Sequence, residues 1–189
     1  MRCALSGSID AAFIFAFAVV FALIEIEIEG KHGWAAKLPT ARNVVGHLTL
    51  YHVYMVSLAI LVVSGFVYFR ERQPCSTVVQ KQQQQQSSLY MVAKIAVHVI
   101  LYLLLQDFLW FVLNPHYTLT GYQSEAIGWH GGWLGGLPLF NFVGLGVVVT
   151  VLFIARKQEL WGAFATYIAL LLGVCATSPL YHIFYNWIH

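Results

Sequence analysis

The groups in this chain that can do chemistry are carboxylates and histidines standing at the margins of long apolar runs. The stretch Gln106–Trp133, QDFLWFVLNPHYTLTGYQSEAIGWHGGW, holds Asp107, His116, Glu125 and His130, is rich in aromatics and contains no Lys or Arg. Far upstream, Glu25, Glu27 and Glu29 alternate with Ile24, Ile26 and Ile28 where the first apolar run ends, and His47, His52 and His182 lie near the ends of others. Imidazole nitrogens beside carboxylate oxygens suit zinc, iron or manganese. A metal-bound water would need one open coordination position and a carboxylate as general base. These residue types assign Glu29, His47, His52 and His182 as metal ligands, and Glu25 and Asp107 as catalytic acids or bases. Trp110, His116, Trp129 and His130 would hold the apolar part of a substrate.

Ordinary structural roles compete with each assignment, because a single histidine is more often a hydrogen-bonded residue than a ligand. Glu29 and His32 have the ExxH spacing of di-iron bundles, but such sites use two of these elements and only one is present, with Gly30 between its members. There is no HExxH, HxxxH or GxSxG pattern. The glutamates leave two geometries open. On a helix, Glu25 and Glu29 share a face at i,i+4 and Glu27 points away; on an extended segment all three share one side. In either case they also suit a solvated acidic rim where a helix leaves a membrane.

The elements that would carry these groups follow from composition. Of 189 residues, 59% are hydrophobic and 10% charged, and the mean hydropathy is +0.71, whereas roughly a quarter of the residues of a soluble domain are charged. The expectation is an all-α, polytopic integral membrane helix bundle of one domain, residues 1–189, with membrane lipids around it. About five transmembrane helices are expected, over 9–28, 46–69, 89–113, 139–155 and 160–178, each near the ~20 residues a crossing requires. Residues 70–88, with Pro74 and the glutamine run from Gln82 to Gln86, form a linker. Pro179 is expected to kink or break the last span. A formal charge of +2 with scattered basic residues excludes a nucleic-acid partner. Three distant cysteines, Cys3, Cys75 and Cys175, form neither a disulfide framework nor a thiolate zinc site.

Two helical faces are polar where lipid-facing ones would be aliphatic. Asn43, His47, Tyr51 and Tyr54 line one; Lys94, His98, Tyr102 and Gln106, at successive i,i+4 positions, line the other, with Asp107, Trp110 and Asn114 beside it. Such stripes must face protein or water. Ala165, Ala169, Gly173 and Thr177 form a small-residue stripe, which leaves room for close helix packing and a homo-oligomer.

Arg2, Arg70, Arg72, Lys81, Arg156 and Lys157 on one side, against Lys31, Lys37 and Arg42 on the other, place the amino terminus in the cytoplasm and the carboxyl terminus outside. A plasma or inner membrane is the expected setting. Every histidine except His98 then gathers at the extracytoplasmic face. The leading expectation is a metal-dependent or acid-base enzyme acting there on a lipid or other apolar substrate. The alternatives are a proton or metal-ion transporter using the Lys94, His98, Gln106 and Asp107 stripe, an electron carrier with His98 or His52 as an axial haem ligand, and a structural or assembly subunit.

Overall fold

The structure, a computed structural model, describes residues 2–29, 42–45, 48–72, 88–117, 132–135 and 137–188. It is all-helical in its architecture, with five helices: α1 (Arg2–Glu29), α2 (Leu50–Arg72), α3 (Ser88–Leu113), α4 (Leu139–Ala155) and α5 (Gln158–Ile188). Four contain segments long and apolar enough to cross a membrane: Gly7–Glu29 of α1, and α2, α3 and α5 in full; α4, also apolar, has 17 residues. Two short antiparallel hairpins precede α2 and α4, β1 (Asn43–Val45) with β2 (Leu48–Thr49), and β3 (Trp133–Leu134) with β4 (Leu137–Pro138).

α3 is the central element and packs against all four other helices. Its neighbours' directions follow from paired positions along it. Asp10 meets Lys94 and Glu25 meets Gln106, so α1 runs parallel to α3. Glu159 meets Lys94 and His182 meets the Val112 carbonyl, so α5 does the same. α2 runs the other way, with Glu71 at Lys94 and Tyr51 within electrostatic reach of Glu25.

The α1 sequence explains how closely these helices approach. Gly7, Ala11, Ala18 and Ala22 repeat on one face and are all buried. At Gly7 a Cβ would overlap the Glu159 carbonyl oxygen and lie 2.9 Å from that residue's Cγ, so only glycine allows α1 and α5 to meet here. Outward-facing positions stay aliphatic or aromatic, among them Leu61, Phe69, Leu172 and Ile183, as expected where lipid rather than water is the neighbour.

Two expectations are revised and one open alternative is decided. The polar face drawn from Asn43 to Tyr54 is not one helical face, because β1 pairs with β2 and α2 begins only at Leu50, whose N–H donates to the Arg42 carbonyl at 2.9 Å. Tyr54 is exposed. The glutamates at the end of α1 adopt the helical geometry: Glu25 and Glu29 are buried together and Glu27 is exposed. Finally, α5 continues through Pro179 to Ile188. Proline cannot donate to the carbonyl four residues back, that of Cys175, but the Ser178 hydroxyl donates to that oxygen at 3.1 Å and replaces the missing bond.

Candidate functional site: a buried polar track along one helix

Lys94 lies on α3 in a run otherwise made of aliphatic residues and is fully buried. A lysine there must find anionic partners, since an unpaired ammonium in low dielectric is very costly. Three helices supply them. The Lys94 ammonium donates to Asp10 of α1 at 3.0 Å, and to Glu71 of α2 and Glu159 of α5 in short contacts. Arg70 Nε donates to the other Asp10 oxygen at 3.1 Å, and the Tyr90 hydroxyl donates to Glu159 at 3.4 Å. Three carboxylates thus meet two cations, and one ammonium ties four helices together.

Asp10, Glu71 and Glu159 form the only group of His, Cys, Asp and Glu among the described residues whose ligand atoms come close enough to hold a metal, all within 4.8 Å of one another. Lys94 Nζ donates to each of them, so the place a cation would take holds an ammonium.

One turn along α3, His98 is also fully buried. Its Nδ1 pairs with the Tyr167 hydroxyl of α5 at 2.9 Å, while its Nε2 has no hydrogen-bond partner among the described residues. A further turn on, Tyr102 packs against Phe17 and Phe21 of α1, with ring centroids 5.4 and 6.0 Å away, and its buried hydroxyl is also unpaired among the described residues. Gln106 follows and donates through Nε2 to the Glu25 carboxylate. Lys94 to Gln106 is twelve residues, about 18 Å of helix at 1.5 Å per residue, more than half of a hydrocarbon core of roughly 30 Å.

At the far end Glu25 and Glu29 share the buried face of α1, with Asp107 close enough to act electrostatically on Glu25. Trp110 abuts Glu29 and is covered by Tyr117, whose ring centroid is 5.5 Å away. Tyr51 of α2 lies within electrostatic reach of both glutamates. Among the described residues no lysine or arginine forms an ion pair with Glu25 or Glu29. Tyr117 lies beyond the end of α3, and there burial and the Glu29 charge push its phenol up from its ordinary value.

The structure thus brings together Glu25, Glu29, Asp107 and Trp110 from the residues singled out in the sequence. His52 and His182 are engaged elsewhere. Thr49 donates its hydroxyl to His52 Nδ1 at 2.7 Å and its N–H to the same nitrogen at 3.2 Å, a contact that closes the start of α2. His182 Nε2 donates to the Val112 carbonyl at 3.0 Å, satisfying one of the carbonyls left open in the last turn of α3. Neither forms a metal-competent group with Glu29 among the described residues. His116 is exposed and sets its ring edge-on to Tyr185 at 6.3 Å. His47, Trp129 and His130 lie outside the described residues, as do His32 and Glu125.

Sequence reasoning missed the cluster around Lys94. In the sequence Arg70 serves only as a topology marker, and nothing singles out Asp10, Glu71 or Glu159. The available signal was Lys94 itself: a lysine within an apolar helix requires carboxylates from neighbouring helices at the same depth.

The fold and this track define an all-helical protein with membrane-span-like helices and a polar seam inside the bundle. Comparison with protein-family models, with curated proteins and with solved structures gives no match. The functional reading therefore rests on the side chains themselves.

Proposed function

We propose that this protein moves protons across a membrane, along the face of α3 that carries Lys94, His98, Tyr102 and Gln106. One observation carries the reading. His98, buried at the middle of the stripe between two carboxylate clusters, has one ring nitrogen on Tyr167 and the other unpaired among the described residues. A neutral imidazole accepts a proton at one nitrogen and releases one from the other, which makes it a natural intermediate in a relay. Ionisable groups at membrane depth are functional by default.

In this reading all five helices cross. α4, about 25 Å long at 1.5 Å per residue, returns between α3 and α5, and the basic residues Arg70, Arg72, Arg156 and Lys157 put the Lys94 end at the cytoplasmic side. Protons enter from the outside at Glu25 and Glu29, pass Gln106, Tyr102 and His98, and reach the acids around Lys94.

The test is proton entry into liposomes containing the purified protein and a pH-sensitive dye, driven by a potassium diffusion potential. The expected result is protein-dependent acidification that is lost in His98→Phe while the variant stays folded. Wild-type vesicles no faster than empty ones would sink the reading.

A second reading is favoured by the buried Glu25 and Glu29 pair with Gln106 and Trp110. It is an acid-base or metal-assisted enzyme opening at that end onto a lipid or other apolar substrate, with Glu25 and Asp107 as catalytic groups. Elemental analysis of chelator-free protein beside a Glu25→Ala/His52→Ala double variant tests the metal form. Stoichiometric zinc, iron or manganese that the folded variant loses would favour it.

A further inference from the structure

The two buried atoms left unpaired in the middle of the track are one helical turn apart. His98 Nε2 and Tyr102 Oη belong to side chains 0% and 1% exposed, on the same face of α3, and neither finds a partner among the described residues. Three threonine hydroxyls in the helices bond back to their own helix: Thr150 to the Gly146 carbonyl at 2.8 Å, Thr166 to Gly162 at 2.8 Å and Thr177 to Gly173 at 2.9 Å. Tyr102 cannot do so, because the ring, packed against Phe17 and Phe21, carries its hydroxyl away from its own backbone. His98 cannot turn its free nitrogen to Tyr167, which already holds the other one.

Buried polar groups in folded proteins find partners in protein or in ordered water. Two of them on successive turns of one helix face give a water part of the partner set it requires, which is two to four groups. We propose that His98 Nε2 and Tyr102 Oη bind a single water molecule inside the bundle, between the Lys94 end and the Glu25 end of α3. The site stands on these two atoms; its part in proton transfer rests on the relay reading. Within that reading the water spans the gap between imidazole and phenol, taking a proton from one side as it gives one to the other, with no net change in its own composition.

The experiment is X-ray radiolytic footprinting of the full-length protein in lipid nanodiscs, in which water activated beside a side chain oxidises it. The expected result is oxidation of buried Tyr102 in the wild type and its loss in His98→Leu, while exposed Tyr54 is oxidised equally in both. A companion measurement uses Tyr102→Phe, which keeps the ring and removes only the hydroxyl. If Tyr102 Oη holds the water, the thermal midpoint falls by about 2–4 °C. Protection of Tyr102 from oxidation overturns the proposal, and so does an unchanged or raised midpoint in Tyr102→Phe, since deleting a dry, unpaired hydroxyl relieves a cost. Proton flux is read separately on the wild type. Labelled Tyr102 without flux supports the water and removes the relay; flux with Tyr102 protected overturns the water and leaves the relay.

Discussion

The two ends of the α3 stripe solve the problem of buried charge in opposite ways. At the Lys94 end three carboxylates are matched by Lys94 and Arg70, and every polar contact joins one helix to another. At the Glu25 end the acids have one another, Asp107 and the neutral Gln106, Trp110 and Tyr51 as neighbours, and no lysine or arginine pairs with Glu25 or Glu29 among the described residues. The first arrangement is a clamp whose charges depend on one another. The second is an acid pair that gains by taking up a proton or a cation, which is the property a proton entrance or an acid-base site requires. Stability and function are therefore divided along one helix, and substitutions at the two ends should act with different size and sign.

The largest effect is expected at the clamp. Lys94→Met keeps the length of the side chain and removes the charge, leaving Asp10, Glu71 and Glu159 converging without their ammonium. Removing one member of a buried ionic group costs about 3–5 kcal/mol because the remaining charges are uncompensated. The thermal midpoint in detergent should collapse, and neutralising the acids in the same background with Asp10→Asn, Glu71→Gln and Glu159→Gln should recover much of the loss. A Lys94→Met protein as stable as wild type would show that the cluster is not a clamp.

Gly7→Ala probes the same end without touching a charge. The new methyl group meets the Glu159 backbone, which cannot swing aside as a side-chain tip would. α1 and α5 must separate, at a cost of about 1–3 kcal/mol for overpacking. The control is Gly65→Ala on α2, where a Cβ meets nothing within 4 Å and alanine's helix preference gives a small gain, up to about 1 kcal/mol. Midpoints that move in opposite directions would locate the tight packing at the clamp.

How much of this could be read in the sequence divides along physical lines. Helices and their apolar character were legible, because long hydrophobic runs have few other solutions, and the stripe from Lys94 to Gln106 was legible because i,i+4 spacing fixes a face whatever the tertiary structure. The partners of the stripe were not. Asp10, Glu71 and Glu159 come from three other helices, and nothing local to them indicates that they share a depth. Of the kink or break expected at Pro179, the break does not occur: a break follows where the freed carbonyl stays unsatisfied, and here Ser178 satisfies it. The histidines gathered by topology at one face proved to be engaged individually where the structure describes them, His52 with Thr49 and His182 with Val112, because a shared side of a membrane sets depth and not proximity.

Between the two ends, Tyr167→Phe should have an intermediate effect. It removes the hydroxyl that holds His98 Nδ1 and leaves the packing of the ring in place. Loss of one hydrogen bond with its buried partner stranded costs about 1 kcal/mol, so the midpoint should fall modestly. In the flux assay the same variant should be slowed more than its stability suggests, because the imidazole is no longer held in one orientation. A variant with the stability loss and unaltered flux would leave His98 as a packing residue.

The smallest and most informative effect is expected at Glu25. Glu25→Gln keeps the shape and lets the Gln106 amide find an oxygen acceptor as before, while removing a charge that faces Glu29 and Asp107. Relief of like-charge repulsion between helix neighbours is worth about 0.5 kcal/mol, so the midpoint should rise slightly. The matching change at the clamp, Asp10→Asn, must instead lower it, since Lys94 and Arg70 both lose their anionic partner. Opposite signs for two isosteric acid-to-amide substitutions on one helix would establish the contrast directly. If Glu25→Gln also slows proton entry while stabilising the protein, the loss cannot come from unfolding, and Glu25 is a residue kept for its proton. If both substitutions lower the midpoint alike, the Glu25 end holds a compensating cation, and the acids there belong to a binding site for it.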